Sequence, residues 1–273
     1  MNSSEPLQTY AYPDTAPKGL LRKVALRGIN GLLRLRGLKF PPYFRLRDRL
    51  VYLVKEIEPD VQHLCSQILR PGMTVMDVGA NVGLITRQFC RQVGPGGRVY
   101  AFEPDPFTFQ FLEFNTRSFK NKELTQCAIS DNNEPALLHL NFISGTGNSL
   151  LNPDHSAESV PVACISLDEF LKQHANPLVD VIKIDVEGAE LSVLRGLRQT
   201  VKRLPGVKII IEYCPRNLQG SGVEPRAVFD ELRSRQFNLQ VIRPDGGLKA
   251  IDRFDELEGH LNASGYVNLL CTR

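Results

Sequence analysis

Asp77, Glu103, Asp185 and Glu212 each stand at or near the end of an apolar run that reads as a buried strand. In an open parallel sheet, strand ends are where ligands bind, so four carboxylates there suggest a site. The stretch "MDVGANVG", residues 76–83, adds Gly79, Asn81 and Gly83 between the first strand and a helical pattern from Val82 to Val93. A glycine-rich strand-to-helix turn presents backbone N–H groups to a nucleotide-like ligand. A dinucleotide fingerprint needs Gly-x-Gly-x-x-Gly, but Asn81 fills its second glycine position and Leu84 its third. Asp77 would also set a negative charge where a pyrophosphate belongs. A ligand carrying adenosine and a cation fits better. Glu103, about 20 residues on, can accept both ribose hydroxyls, and Asp77 can face an ammonium or a sulfonium. That ligand is S-adenosylmethionine.

Methyl transfer from a sulfonium needs an acceptor held in line and relieved of its proton. Asp185 and Glu212 end what should be adjacent strands, and Glu187 follows two residues after Asp185. These three are the candidate catalytic carboxylates. A hydroxyl is a weak acid, so a divalent metal would assist its ionisation; the oxygen donors Asp185 and Glu212 suit Mg²⁺ or Mn²⁺. Plainer roles exist. Asp185 can cap the following helix, Glu187 can sit in its first turn, and Glu212 can pair with Lys183 or Lys208.

The elements that must position these groups alternate along the chain. A helix over 60–69 precedes a strand at 74–78, and after the glycine-rich turn come a strand at 98–103 and a helix near 107–118. A strand at 124–129 is followed by an insertion, "PALLHLNFISGTGNSLL", read as a hairpin or edge strand with a loop. Further strands at 160–164, 179–185 and 207–213 alternate with helices, and the finish is an antiparallel hairpin. Near-continuous apolar strands separated by helices specify an α/β protein with a mostly parallel sheet covered on both faces.

The 273 residues, 42% of them hydrophobic, belong to an ordinary globular protein, and a net charge of +3 does not indicate nucleic acid. Six scattered cysteines without a C-x-x-C pair speak against a zinc site or disulfide framework and for a reducing cytoplasm. Basic residues crowd "LLRKVALRGINGLLRLRGL", residues 20–38, whose apolar positions are Leu21, Val24, Ile29, Leu32 and Leu35. This basic amphipathic helix either packs on the main domain or makes peripheral contact with an anionic membrane. Every cofactor motif lies after residue 70, so residues 1–40 are expected to be dispensable for cofactor binding if they serve substrate or membrane. If instead Leu21, Val24 and Ile29 belong to the core, their removal is expected to prevent folding. Gly79 is expected to matter to the ligand rather than to the fold.

The segments "MTVMDVGANVGLIT", "GRVYAFEPDP", "CAISD", "GNSLL", "VACISLDEFL" and "VDVIKIDVEGAELSVLRGL", followed by "IIIEY", resemble the FkbM family of S-adenosylmethionine-dependent methyltransferases. The resemblance implies a Rossmann-like class I methyltransferase fold with an antiparallel edge strand. It implies O-methylation of a hydroxyl on a sugar, glycan or secondary metabolite. By the same likeness Asp77, Gly79, Asn81 and Gly83 hold the methionine part, Glu103 the ribose, and Ala128 to Asp131 line the adenine. The methyltransferase domain is expected over 56–273, with 1–55 as an irregular and basic helical extension. The other classes to separate are a ribose methyltransferase acting on RNA, a cofactor-binding protein without turnover, and a nicotinamide dehydrogenase.

Overall fold

The computed structural model describes residues 20–41, 49–50, 58–139, 159–263 and 265–273. The "GNSLL" segment lies outside them. The carboxyl-bearing strands lie side by side. Strands β1 (Thr74–Val78), β2 (Arg98–Phe102), β3 (Lys122–Thr125), β8 (Val181–Ile184) and β9 (Lys208–Tyr213) run parallel, in the order β3-β2-β1-β8-β9. The sheet continues through β12 (Val267–Thr272), β10 (Asn238–Ile242) and β11 (Leu248–Ile251). β12 is inserted antiparallel between β9 and β10, and β11 forms the expected antiparallel edge hairpin with β10. This is the class I methyltransferase arrangement expected from the sequence.

Two short ladders stand apart from the main sheet. The expected strand over 124–129 breaks after Thr125, and β4 (Ala128–Ile129) pairs instead with β7 (Cys164–Ile165). β5 (Ala136–His139), the strand read at the start of the insertion, pairs antiparallel with β6 (Ser159–Val162), from the separate strand expected over 160–164; residues 140–158 lie outside the described ones.

Alternation along each parallel strand fills both faces. Met76, Val78, Phe102, Ile182, Ile184, Ile209 and Ile211 belong to one core cluster. Val75, Val99, Val181 and Ile210 join Leu64, Phe89 and Val93 in the other. Each such side chain withdrawn from water contributes roughly 1.5–3 kcal/mol. The helices over this frame include α2 (Pro59–Ile68), α3 (Leu84–Val93), α4 (Pro106–Thr116), α5 (Leu167–Gln173) and α6 (Glu190–Arg195).

The N-terminal helix α1 (Leu20–Leu35) departs from expectation in two ways. Of its five apolar positions read from the sequence, Leu21, Val24, Leu32 and Leu35 are exposed, and only Ile29 packs inward, beside Leu33. The segment is also joined to the cofactor turn. Leu33, Leu38 and Phe40 pack with Val82 and Leu84. The buried Asn115 accepts from Lys39 N at 2.7 Å and donates to Lys39 O and Val82 O. Leu33, Leu38, Lys39 and Phe40 therefore brace the glycine-rich turn.

Candidate active site

The turn after β1 takes its shape from hydrogen bonds back to β2. Gly79 N and Ala80 N both donate to Phe102 O, at 3.1 and 2.9 Å. Asn81 has a positive φ of 49°, a conformation that asparagine tolerates, and its Oδ1 accepts from Val82 N. Asn81 N donates to Glu103 Oε2 at 2.9 Å, and Asp105 N donates to Oε1 at 3.0 Å. Glu103 is thus fixed by one backbone N–H on each oxygen, which leaves acceptor capacity on both. Burial nevertheless pushes its carboxyl up to about 8.

Asp77 is completely buried. Thr86 donates to its Oδ2 at 2.6 Å, while Oδ1 is buried without a hydrogen-bond partner. A buried carboxylate oxygen with no donor is costly, and an ammonium would relieve it. This orphaned acceptor fits the amino group of S-adenosylmethionine.

The two glycines of the turn face protein. A Cβ on Gly79 would lie 1.8 Å from the Asp185 carbonyl oxygen, so glycine is required where β1 and β8 come together. A Cβ on Gly83 would sit 2.6 Å from Leu112 Cδ1, on helix α4. Both have φ above +80°, which also favours glycine. The expectation that Gly79 serves the ligand and not the fold is corrected by this contact.

Across the sheet, Asp77 pairs in register with Lys183, and the next pairs along β8 and β9 lead to Asp185 beside Glu212. Lys183 is fully buried and donates to Asp185 Oδ2 at 2.8 Å; Glu58 Oε2 lies 3.4 Å from its Nζ. Burial pulls the ammonium down, but Asp185, Glu58 and Asp77 more than reverse this, so Lys183 stays charged. One cation shared among so many carboxyls leaves several undercompensated. Burial raises Glu58 to about 7, Glu187 to about 8 and Glu212 to about 10, with Asp185 adding to each. An excess of buried acid suits a ligand that brings positive charge.

The plainer roles fail here. Asp185 caps no helix: α6 begins only at Glu190, with Ala189 at its N-cap. Glu187 lies before that helix, at a φ of 53°, and its Oε2 accepts from Asn217 Nδ2 at 2.5 Å. Glu190 closes the loop, its Oε1 accepting from Gly188 N at 3.1 Å. Glu212 has no ion pair with Lys183 or Lys208 among the described residues; Lys183 is engaged by Asp185 and Glu58.

The expected Mg²⁺ or Mn²⁺ at Asp185 and Glu212 does not fit this donor set. Lys183 already supplies the cation at Asp185, its Nζ lying 2.8 Å from Oδ2. Among the described residues no three His, Cys, Asp or Glu side chains are grouped to hold a metal. Ala128 is buried in the small cluster with Leu138, Val160 and Cys164, and Asp131 is exposed, its Oδ1 accepting from Ser130 and Asn132. Neither has a hydrogen bond to the glycine-rich turn.

Glu58 escaped the sequence reading, and Lys183 entered it only as a partner for Glu212, not for Asp185 and Glu58. Glu58, with a φ of 46°, sits just before α2 and reaches Lys183 from far away in the chain. Lys183 carried a usable signal, because a lysine inside the apolar run "VDVIKID" must be paired if the strand is buried.

With this geometry in place, the chain was compared with known proteins. Residues 77–239 match the methyltransferase FkbM domain. The chain belongs to that family. The 2-O-methyltransferase NoeI of Sinorhizobium fredii is 26% identical over 67% of this chain and 80% of its own length. The 31-O-demethyl-FK506 methyltransferase FkbM of Streptomyces tacrolimicus is 29% identical over 66% of this chain and 84% of its own. The hexuronic acid methyltransferase AglP of Haloferax volcanii is 25% identical over 68% and 72%. The FkbM-family chain described here is therefore a methyltransferase, and its strand-end carboxyls form the candidate centre.

Proposed function

We propose that this protein transfers the methyl group of S-adenosylmethionine to a hydroxyl of a sugar, glycan or secondary metabolite. The observation that carries the donor is the pairing of Glu103, open to two ribose hydroxyls, with the partnerless Asp77 Oδ1. The hydroxyl acceptor is supported by relatives named as a 2-O-methyltransferase, a 31-O-demethyl-FK506 methyltransferase and a hexuronic acid methyltransferase. When bound, S-adenosylmethionine supplies an electrophilic methyl on a positively charged sulfur.

The roles we assign to this chain's residues follow from charge and position. Glu103 orients the ribose, and Asp77 accepts the ammonium. The turn of Gly79, Asn81 and Gly83 holds the methionine part, and Ala128 to Asp131 border the adenine. Asp185 faces the acceptor, with its carboxylate rotamer fixed by Lys183. Glu187, raised to about 8 and steered by Asn217, is better matched to a hydroxyl proton than an ordinary carboxylate. Glu212, raised to about 10, is protonated at neutral pH and serves as a hydrogen-bond donor to the acceptor. The methyltransferase unit is proposed to span 56–273. A reducing compartment, the cytoplasm, goes with the six free cysteines, all of them buried.

A transfer screen with labelled S-adenosylmethionine against glycan, lipid-linked and RNA acceptors tests this reading. Label on a hydroxyl of a glycan or small molecule supports it. Label on RNA ribose would replace the acceptor, and cofactor binding without transfer to any acceptor would favour a non-catalytic binding protein. A loss of turnover in EDTA, restored by Mg²⁺ or Mn²⁺, would reinstate a metal at Asp185 and Glu212.

A further inference from the structure

Helix α1 has two apolar faces, and among the described residues only one is packed internally. Ile29 and Leu33 turn toward the cluster on Val82. Facing away from it, Leu20 is 78% exposed, Leu21 87%, Val24 57%, Leu32 54% and Leu35 85%. At 3.6 residues per turn these five share an arc of roughly 120°. Gly28 and Gly31 fall on the same arc, and a Cβ on either would meet nothing within 4 Å. The residues flanking the arc are basic: Lys23, Arg27 and Arg34 line one side, and the helix contains no acidic residue. No carboxylate among the described residues pairs with these three.

We propose that this outer face docks on an anionic membrane surface. Leucines enter the boundary between headgroups and acyl chains, while the flanking lysine and arginines reach lipid phosphates. The charge pattern selects this occupant over a second copy of the chain. A dimer through this face would bring two sets of uncompensated cations together, whereas an anionic headgroup layer neutralises them. The helix does not cross the bilayer: no helix of the described residues is long and apolar enough to do so. Because the inner face rests on Val82, docking holds the cofactor-turn edge of the sheet beside the lipid. The proposal is independent of which acceptor the enzyme methylates.

Co-sedimentation of the full-length protein with vesicles is the test. Vesicles of phosphatidylcholine and phosphatidylglycerol at 3:1 are expected to bind it, with binding weakened by added salt, and vesicles of phosphatidylcholine alone to bind it at least tenfold less. Replacing Leu21 and Leu35 together by glutamate is expected to lower affinity for the anionic vesicles by tenfold or more. The variant's S-adenosylmethionine affinity should stay at the wild-type value, which reports that the fold is intact. Lys23→Gln with Arg27→Gln and Arg34→Gln should weaken binding and flatten its salt dependence. Absence of wild-type binding to anionic vesicles, or equal binding by the leucine variant, would overturn the proposal. So would self-association of the wild type that the leucine variant abolishes.

Discussion

The two halves of the strand-end site are built by opposite means. On the donor side, backbone N–H groups of Asn81 and Asp105 hold Glu103, and Thr86 holds one oxygen of Asp77. On the acceptor side, one buried ammonium, Lys183, holds Asp185 and Glu58, and Glu187 and Glu212 crowd in with too little positive charge among them. Backbone donors fix geometry and do not titrate. A shared lysine fixes geometry only while the surrounding protonation states persist. The donor half should therefore respond to substitution mainly through shape and hydrogen bonding, and the acceptor half mainly through charge.

The largest effect is expected at the seam between the halves. Gly79→Val drives a side chain into the Asp185 backbone at a positive φ, and we expect loss of the cooperatively folded protein in thermal melts followed by circular dichroism. Gly83→Ala meets mainly the movable end of Leu112 and should cost less, about 1–3 kcal/mol, in the same measurement. If the two behave alike, the contact between β1 and β8 is not the reason for glycine at Gly79.

Next comes the acceptor half alone. Asp185→Asn should lower methyl transfer about 100-fold or more while cofactor binding persists, since the amide keeps the shape but neither takes a proton nor pairs with Lys183. Full activity in this variant would remove Asp185 from the chemistry. On the donor half, Glu103→Ala should weaken S-adenosylmethionine binding by about 1–3 kcal/mol, read by calorimetry. Deleting residues 1–40 removes the brace on Val82 and Asn115, and we expect a smaller loss of cofactor affinity, several-fold. Unchanged affinity would return that segment to the dispensable role first read from the sequence.

The smallest effect is a pH dependence to which both halves contribute. Glu58, Glu103, Glu187 and Glu212 all have folded values above the usual carboxyl range, from about 7 to about 10. The folded chain then holds more protons than the unfolded one between the unfolded value, about 4.5, and these raised values. Their contribution to stability is full below about 4.5 and declines as pH rises through 7 to 10. The melting temperature of the free protein should fall between pH 6 and 9, and Glu212→Gln should flatten that fall. A melting temperature that rises over this range would contradict the acid excess.

Much of this was legible in the sequence. Parallel strands covered on both faces read as apolar runs, so β1, β2, β8 and β9 and the carboxyls at their ends could be placed without coordinates. What lay hidden depended on partners distant in the chain. Glu58 meets Lys183 only because α2 and β8 converge, and the glycines of the turn are explained by Asp185 and Leu112, which no local pattern reveals. Helix α1 showed its two apolar faces as one periodicity, and burial alone distinguishes them. The strand expected over 124–129 broke because Ala128 and Ile129 found a second partner in β7.

Calorimetric titration of the purified full-length chain with S-adenosylmethionine and, separately, with NAD tests the central claim most directly. The account predicts saturable binding of S-adenosylmethionine, weakened in Glu103→Ala, and markedly poorer binding of NAD, whose pyrophosphate meets the Asp77 carboxyl. Equal or tighter binding of NAD, or S-adenosylmethionine affinity indifferent to Glu103, would contradict it.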